Sequence, residues 1–411
     1  MDKKILINTF WLSAEKFIRL PLSFLINIYL IKHLGAEEYG SYVFYLVVIG
    51  LLLPLSSFGM DAFLVKQSVA APANAQSKIF LNGLIVRLMG SVAGFLIAVT
   101  IVLTDESELS SLGLLMCFVL LIESFTVGQY RLLATEKAFK ISVIELLAFF
   151  MGFIAKCAFL IFDLPIIYLG IAYCLDFFTR SLCFFFFSSE DLFKTKTAFD
   201  LTIIKRYISI GKKLVVIGLL VAALTKIDQV MIYFILGDKS IGIYSASLRF
   251  IEPLLLIIVV FNEVAFPRLL YFQQVGKQEY RAFVRRLLLF NSCGALLIYI
   301  IVSLLAPAVI VYMLGDEFII AAEIYPILAL LIPVLSLVLF LDKYLQAENI
   351  HNLNRDRIVV SFIINIPLNY FLIGFYGLNG AAVATIVSYL LGLLVVFLSP
   401  QFREKFTRVM A

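Results

Sequence analysis

The chain has 411 residues, of which 62% are hydrophobic and only 15% charged. A soluble domain is nearer half apolar and a quarter charged, so no soluble surface can be built from what remains, and the chain reads as an integral membrane protein. Its formal net charge of +5 does not point to nucleic acid, because basic residues gather in the cytoplasmic loops of membrane proteins under the positive-inside rule.

Stretches of about 20 apolar residues cross a bilayer as helices, since backbone groups in lipid must bond within their own segment. Twelve such spans are expected: 10–32, 42–65, 79–103, 110–131, 141–162, 166–188, 209–236, 242–267, 285–313, 322–346, 357–375 and 379–399. The start "MDKKILINTF" is basic then apolar, as signal peptides are. Lys16 and Arg19 interrupt the run and no small-residue cleavage site follows, so it reads as an uncleaved first span.

Charges inside spans set the candidate site, because each costs at least ~2.5–3.5 kcal/mol facing lipid at the membrane centre. On span one, Lys16, Arg19, Ser23 and Asn27 fall at i, i+3, i+7 and i+11, one polar stripe suited to a wet cavity. Asp61 ends span two, Arg87 lies on span three and Glu123 deep in span four. Glu145 and Lys156 share a face of span five. Asp176 and Arg180 on span six are an i,i+4 pair expected to neutralise each other. Lys226 and Asp228 lie on span seven, and Arg249, Glu252 and Glu263 on span eight. Asp61, Asp342 and Lys343 lie near cytoplasmic ends, from which they are expected to snorkel. Asn365 and Asn369, flanking Pro367, can bond sugar hydroxyls or a neighbouring helix, and the helix is the expected partner. Prolines at 21, 54, 253, 326, 333 and 367 can each kink a helix.

The connections give the orientation. The loops 33–41, 104–109, 163–165, 237–241, 314–321 and 376–378 count two Lys or Arg, Lys239 and, at the edge of the first, Lys32. The alternate loops and the tails hold 23, which puts both termini in the cytoplasm. The outer loops instead collect acids, among them Glu106 and Glu108. The stretch "HLGAEEYGSY" from His33 returns as "ILGDKSIGIY" from Ile235 and more faintly as "MLGDEF" from Met313. Six spans separate the first two copies, so both lie on the same side. The expected fold is therefore an all-α membrane protein of twelve helices, in two six-helix lobes related by a pseudo-two-fold axis along the membrane normal. The lobes are residues 1–188 and 209–411, joined by a basic cytoplasmic linker at 189–208. The repeated glycines permit the helix stop and tight turn.

Several chemistries lack their residues. There is no GxxxxGK[ST] phosphate loop, the two histidines stand alone, and the five cysteines have no metal spacing. No catalytic constellation is present, so no enzyme activity and no cofactor are expected.

The segment "YLIKHLGAEEYGSYVFYLVVIGLLLPLSSFGMDAFLVKQ" resembles the start of the O-antigen flippase family of polysaccharide-export proteins, through Leu34, Gly35, Tyr39, Gly40, Phe58, Gly59 and Lys66. "GFYGLNGAAVATIVSYL" from Gly374 is similar to that family's last hairpin. The resemblance places the chain in one superfamily with the multidrug and toxic-compound extrusion (MATE) transporters. It implies a V-shaped cavity that opens alternately to either side, and a bacterial inner-membrane location.

The expected cargo is an undecaprenyl-diphosphate-linked oligosaccharide, an O-antigen or other surface-polysaccharide unit such as lipopolysaccharide biosynthesis uses. Its diphosphate would meet Arg19, Lys226, Arg249, Lys16 and Arg87, because Arg offers a planar fork to phosphate and Lys a point charge. Glu123, Glu252 and Asp61 are the candidates for coupling to a proton or sodium gradient. The partners implied are the lipid-linked glycan, membrane lipid, and polysaccharide polymerase and chain-length proteins, with no nucleic acid. The alternative is a proton- or sodium-coupled drug antiporter of the same superfamily.

Overall fold

The structure, a computed structural model, describes residues 3–105, 107, 109–189 and 199–410. The linker residues 190–198, with Lys194 and Lys196, and the loop acids Glu106 and Glu108 lie outside the described residues. Among the described residues every regular element is helical: α1 (Lys3–Ser57), α2 (Asp61–Ala70), α3 (Ala73–Leu103), α4 (Ser110–Glu123), α5 (Gly128–Ala134), α6 (Ala138–Phe162), α7 (Ile167–Ser189), α8 (Leu201–Leu236), α9 (Asp238–Val275), α10 (Lys277–Leu314), α11 (Ile319–Ala329), α12 (Leu331–Ala347), α13 (His351–Leu398) and α14 (Pro400–Met410).

Ten helical stretches among them are long and apolar enough to cross a membrane, two fewer than the sequence suggests. The difference lies in α1 and α13, which run on through the turns placed at 33–41 and 376–378. Each is interrupted by a single non-helical residue, Gly35 (φ 72°, ψ 179°) in α1 and Gly377 (φ 58°, ψ −135°) in α13. A positive φ with extended ψ is open to glycine and almost closed to other residues. Both breaks thus fall at glycine, while the helices continue through Pro21, Pro54, Pro253 and Pro367.

Contacts divide the chain into two compact units, residues 1–33 with 45–222 and residues 34–44 with 223–411. In the first unit α7 packs on α4 and α6, and α3 on α4. A buried apolar cluster joins Met60, Leu64, Phe80, Val86, Val127, Tyr130 and Tyr207. The "FG" pair breaks the chain between α1 and α2, with positive φ at Phe58 and Gly59. A side chain at Gly59 would meet the backbone of Leu214 on α8 at 2.7 Å, so the pair is a packing point as well as a turn.

The second unit is built around the repeated turn. Gly35, Gly237 and Gly315 share one backbone conformation, with φ of 72°, 83° and 93° and ψ within two degrees of 180°. The second glycines of the first two copies have a different task. A Cβ on Gly40 would lie 1.9 Å from the carbonyl oxygen of Asp238, and one on Gly242 would lie 1.8 Å from that of Ala36. The helix starts that follow the two turns therefore cross with backbones in direct contact. The third copy joins them, because Glu317 Oε1 accepts the Ala36 N–H at 3.0 Å and fills one of the open donors at that helix start.

Candidate functional site

The first unit holds a chain of alternating charges. Arg19 on α1 donates through one amino group to Glu15 Oε1 and Glu145 Oε2, each at 3.2 Å. Glu145 also lies within electrostatic reach of Arg180 on α7. Arg180 donates to Glu123 Oε2 at 2.9 Å, with its guanidinium 4.3 Å from the Phe177 ring centre. Glu123 sits where α4 tightens into the 3₁₀ turn Ser124–Val127. That tightening turns its carbonyl oxygen and Thr126 toward Arg87 on α3, which donates to both at 2.9 and 2.8 Å. Arg87 also donates to the Tyr130 hydroxyl, which donates in turn to Asp61.

Three of the five cations expected to meet a diphosphate, Arg19, Arg87 and Arg249, are already paired within the protein. Arg87 is fully buried and so faces no open surface. Glu123 lies between two guanidiniums, Arg180 at 2.9 Å and Arg87 at 4.0 Å. Arg180 bonds Glu123 rather than Asp176, its expected i,i+4 partner, which acts on it only at longer range. Lys16 is exposed beside Phe17 and Ile18. Of the paired cations in the first unit, Arg19 stays partly open: its side chain is 43% exposed, with its Nε and second amino group free of hydrogen bonds among the described residues.

The second unit is organised differently. Arg249 on α9 donates its Nε–H to the buried Tyr39 hydroxyl at 3.1 Å and an amino group to Glu252 at 2.8 Å. The Arg249–Glu252 pair has the i,i+3 spacing seen in sequence. Lys226 on α8 is half-buried within electrostatic reach of Glu252, Arg249 and Asp228, yet among the described residues no carboxylate lies at ion-pair distance. Two residues on, the buried Asp228 is held by neutral donors alone: the Tyr244 hydroxyl at 2.7 Å, the Thr385 hydroxyl at 3.3 Å and the Gln229 N–H at 2.8 Å. Sequence reasoning noted Asp228 as an acid within a span but did not choose it. The available signal was the repeated turn, since its tyrosines Tyr39 and Tyr244 are the residues that reach Arg249 and Asp228.

The charges expected to snorkel are paired instead. Lys343 meets Glu263 at 2.6 Å and Asp342 meets the buried Arg357 at 2.8 Å, because a partner on a packed helix saves each from reaching for water. Asn369 bonds Asn365 on its own helix, at 3.0 Å to the carbonyl and 2.9 Å to the side chain, and among the described residues it bonds no neighbouring helix. No group of three or more His, Cys, Asp or Glu with metal-holding geometry occurs among the described residues.

The fold has known counterparts. A lipid II flippase MurJ in an inward closed conformation superposes with a TM-score of 0.76 at 15% identity, covering 94% of this chain and 86% of that one. An inward-facing multidrug resistance MATE transporter of the MOP superfamily gives 0.73 at 13%, covering 100% and 99%. A MOP superfamily transporter from Pyrococcus furiosus, described as having a binding pocket of reverse polarity, gives 0.62 at 14%, covering 98% and 96%. At these identities the likeness establishes the fold alone. No curated protein sequence matches the chain. A family model described as "Polysaccharide biosynthesis protein" matches residues 5–273, about two thirds of the length, and the chain therefore belongs to the polysaccharide biosynthesis protein family.

Proposed function

We propose that the protein is a flippase for an undecaprenyl-diphosphate-linked oligosaccharide, an O-antigen or related repeat unit, moved from the cytoplasmic to the periplasmic leaflet of the bacterial inner membrane by alternating access. The reading takes twelve membrane crossings, with Gly35 and Gly377 as turns, and both termini in the cytoplasm. One observation carries it: each unit holds, within a span, a cation with bonding capacity left over, Arg19 with free guanidinium donors and Lys226 without an ion pair among the described residues. A diphosphate leaving water needs charge-assisted bonds of about 1.5–3 kcal/mol each, and these two groups can supply them. Family membership and the likeness to a lipid II flippase support the same class of cargo. Asp228, rather than Glu123, is the carboxylate we assign to coupling with an ion gradient, because it has no direct cationic partner.

The second reading, export of a cationic compound, draws on the carboxylates Glu15, Glu145, Glu123 and Asp61 of the first unit. Complementation separates the two. In a strain lacking the chromosomal gene, Arg19→Ala and Lys226→Ala are each expected to cut surface polysaccharide about tenfold or more at normal membrane levels of protein. Arg19→Lys should rescue in part, since the fork is lost. Normal polysaccharide in both alanine variants, together with loss of cationic-dye efflux, supports the second reading.

A further inference from the structure

Between α9 and α10, within the second unit, lies an open groove of about 650 Å³. One stripe of each helix lines it. On α9 these are Phe261, Val264, Ala265 and Arg268, at i, i+3, i+4 and i+7. On α10 they include Phe283, Arg286, Leu287 and Phe290, in the same spacing. Val264, Leu289 and Phe290 expose 57%, 63% and 66% of their surface, and Phe261 and Phe290 pack ring on ring at 5.2 Å.

The groove is polar at one end only. Arg268 and Arg286 stand toward the Gly276 turn that joins the two helices, while Phe261 and Cys293 lie about two turns further into the span. Both arginines are exposed, and neither has a carboxylate partner among the described residues. The nearest acid in sequence on α9, Glu263, is committed to Lys343, and Glu279 lies on the first turn of α10. An apolar trough capped by two unpaired guanidiniums matches one chemistry, acyl chains under an anionic phosphate.

We propose that this groove is a binding site for an anionic diacyl phospholipid, its chains along Phe261, Val264, Leu289 and Phe290 and its phosphate between Arg268 and Arg286. Basic pockets between membrane helices bind acidic headgroups in this manner. The site is distinct from the cargo cations Arg19 and Lys226 and does not depend on what the cargo is. A glycan-bearing headgroup fits the groove poorly, because its lining offers sugar hydroxyls no polar side chain beyond the two arginines and the Cys293 thiol.

The chain has a single tryptophan, Trp11, so Trp11→Phe with Phe290→Trp places one reporter in the groove. The full-length protein goes into phosphatidylcholine nanodiscs carrying either dibrominated phosphatidylglycerol or dibrominated phosphatidylcholine. Quenching should saturate at a several-fold lower fraction of the anionic lipid. Arg268→Gln and Arg286→Gln should each remove about fivefold of that preference, while Lys277→Gln with Arg281→Gln, on the same hairpin but outside the groove, should leave it intact. Native mass spectrometry of the unsubstituted protein should likewise retain phosphatidylglycerol over phosphatidylcholine, and lose the selection in the Arg268→Gln, Arg286→Gln double variant. Equal quenching by both lipids, an equal loss in the hairpin control, or relief of quenching by undecaprenyl diphosphate at a lower fraction than by unbrominated phosphatidylglycerol would overturn the proposal. The last outcome would make the groove a cargo-tail site.

Discussion

The two units differ in how they treat their deepest intramembrane charges. In the first, Asp61, Tyr130, Arg87, Glu123 and Arg180 form one bonded chain, and Arg19 sits between Glu15 and Glu145. Most of its charges satisfy one another. In the second, Lys226 has no ion pair among the described residues and Asp228 is held by hydroxyls and one backbone N–H. A network of paired charges is rigid and costly to disturb, whereas a charge without an opposite partner remains available to a ligand. The first unit thus has the character of a fixed frame with one open arginine, the second that of a responsive site.

The largest effect that can break this comparison is at Arg87. Removing it takes a donor from the Tyr130 hydroxyl, the Thr126 hydroxyl and the Glu123 carbonyl and the cation from beside Asp61 and Glu123, a loss on the order of 3–5 kcal/mol for a buried pair stripped of one member. Arg87→Ala should lower thermal stability sharply and reduce the amount of monodisperse protein in detergent. Stability equal to the parent would show that the network is not a frame.

Next comes the crossing of the two turns. Gly242→Leu drives a side chain into the Ala36 carbonyl, 1.8 Å from where its Cβ must sit. Overpacking of this kind costs about 1–3 kcal/mol or more, and the helix starts must separate. The midpoint of thermal unfolding should fall, with a smaller fall for Gly294→Leu, where a Cβ meets nothing within 4 Å.

The repeated turn is also where sequence and structure agree most closely. Three "LG" copies were visible as text, and Gly35, Gly237 and Gly315 adopt one conformation, because an unusual backbone position demands glycine and glycine shows in the sequence. The spans were legible for a similar reason, since lipid imposes length and apolarity directly. Pairing was not. Arg180 ignores Asp176 four residues away for Glu123 fifty-seven residues back, and Lys343 finds Glu263 eighty residues away. Helical spacing shows which residues share a face, but tertiary packing decides what that face meets. Asp228 was noted but not chosen, because its partners Tyr244 and Thr385 are uncharged and lie on other helices.

A smaller effect sharpens the contrast further. Asp228→Asn keeps the size of the side chain and removes the charge. Gradient-driven transport should fall about tenfold while stability changes little, because Tyr244 and Thr385 can still donate to the amide oxygen. Glu123→Gln should show the reverse balance, with stability falling through loss of the Arg180 pair and the gradient dependence of residual transport preserved. If Glu123→Gln abolishes gradient dependence and Asp228→Asn does not, the assignment of coupling to the second unit is wrong.

The central claim is the proposal that Arg19 and Lys226 each serve the transport of a lipid-linked diphosphate. Its most direct test is translocation of a fluorescent undecaprenyl-diphosphate oligosaccharide in proteoliposomes, scored by dithionite protection. The parent protein should move the lipid across the bilayer, and the Arg19→Ala, Lys226→Ala double variant, at equal reconstitution, should slow it by about a hundredfold, as two charge-assisted bonds at the lower bound of their strength require. Lys343→Ala should stay near the parent rate. Equal rates for the double variant and the parent would contradict the account.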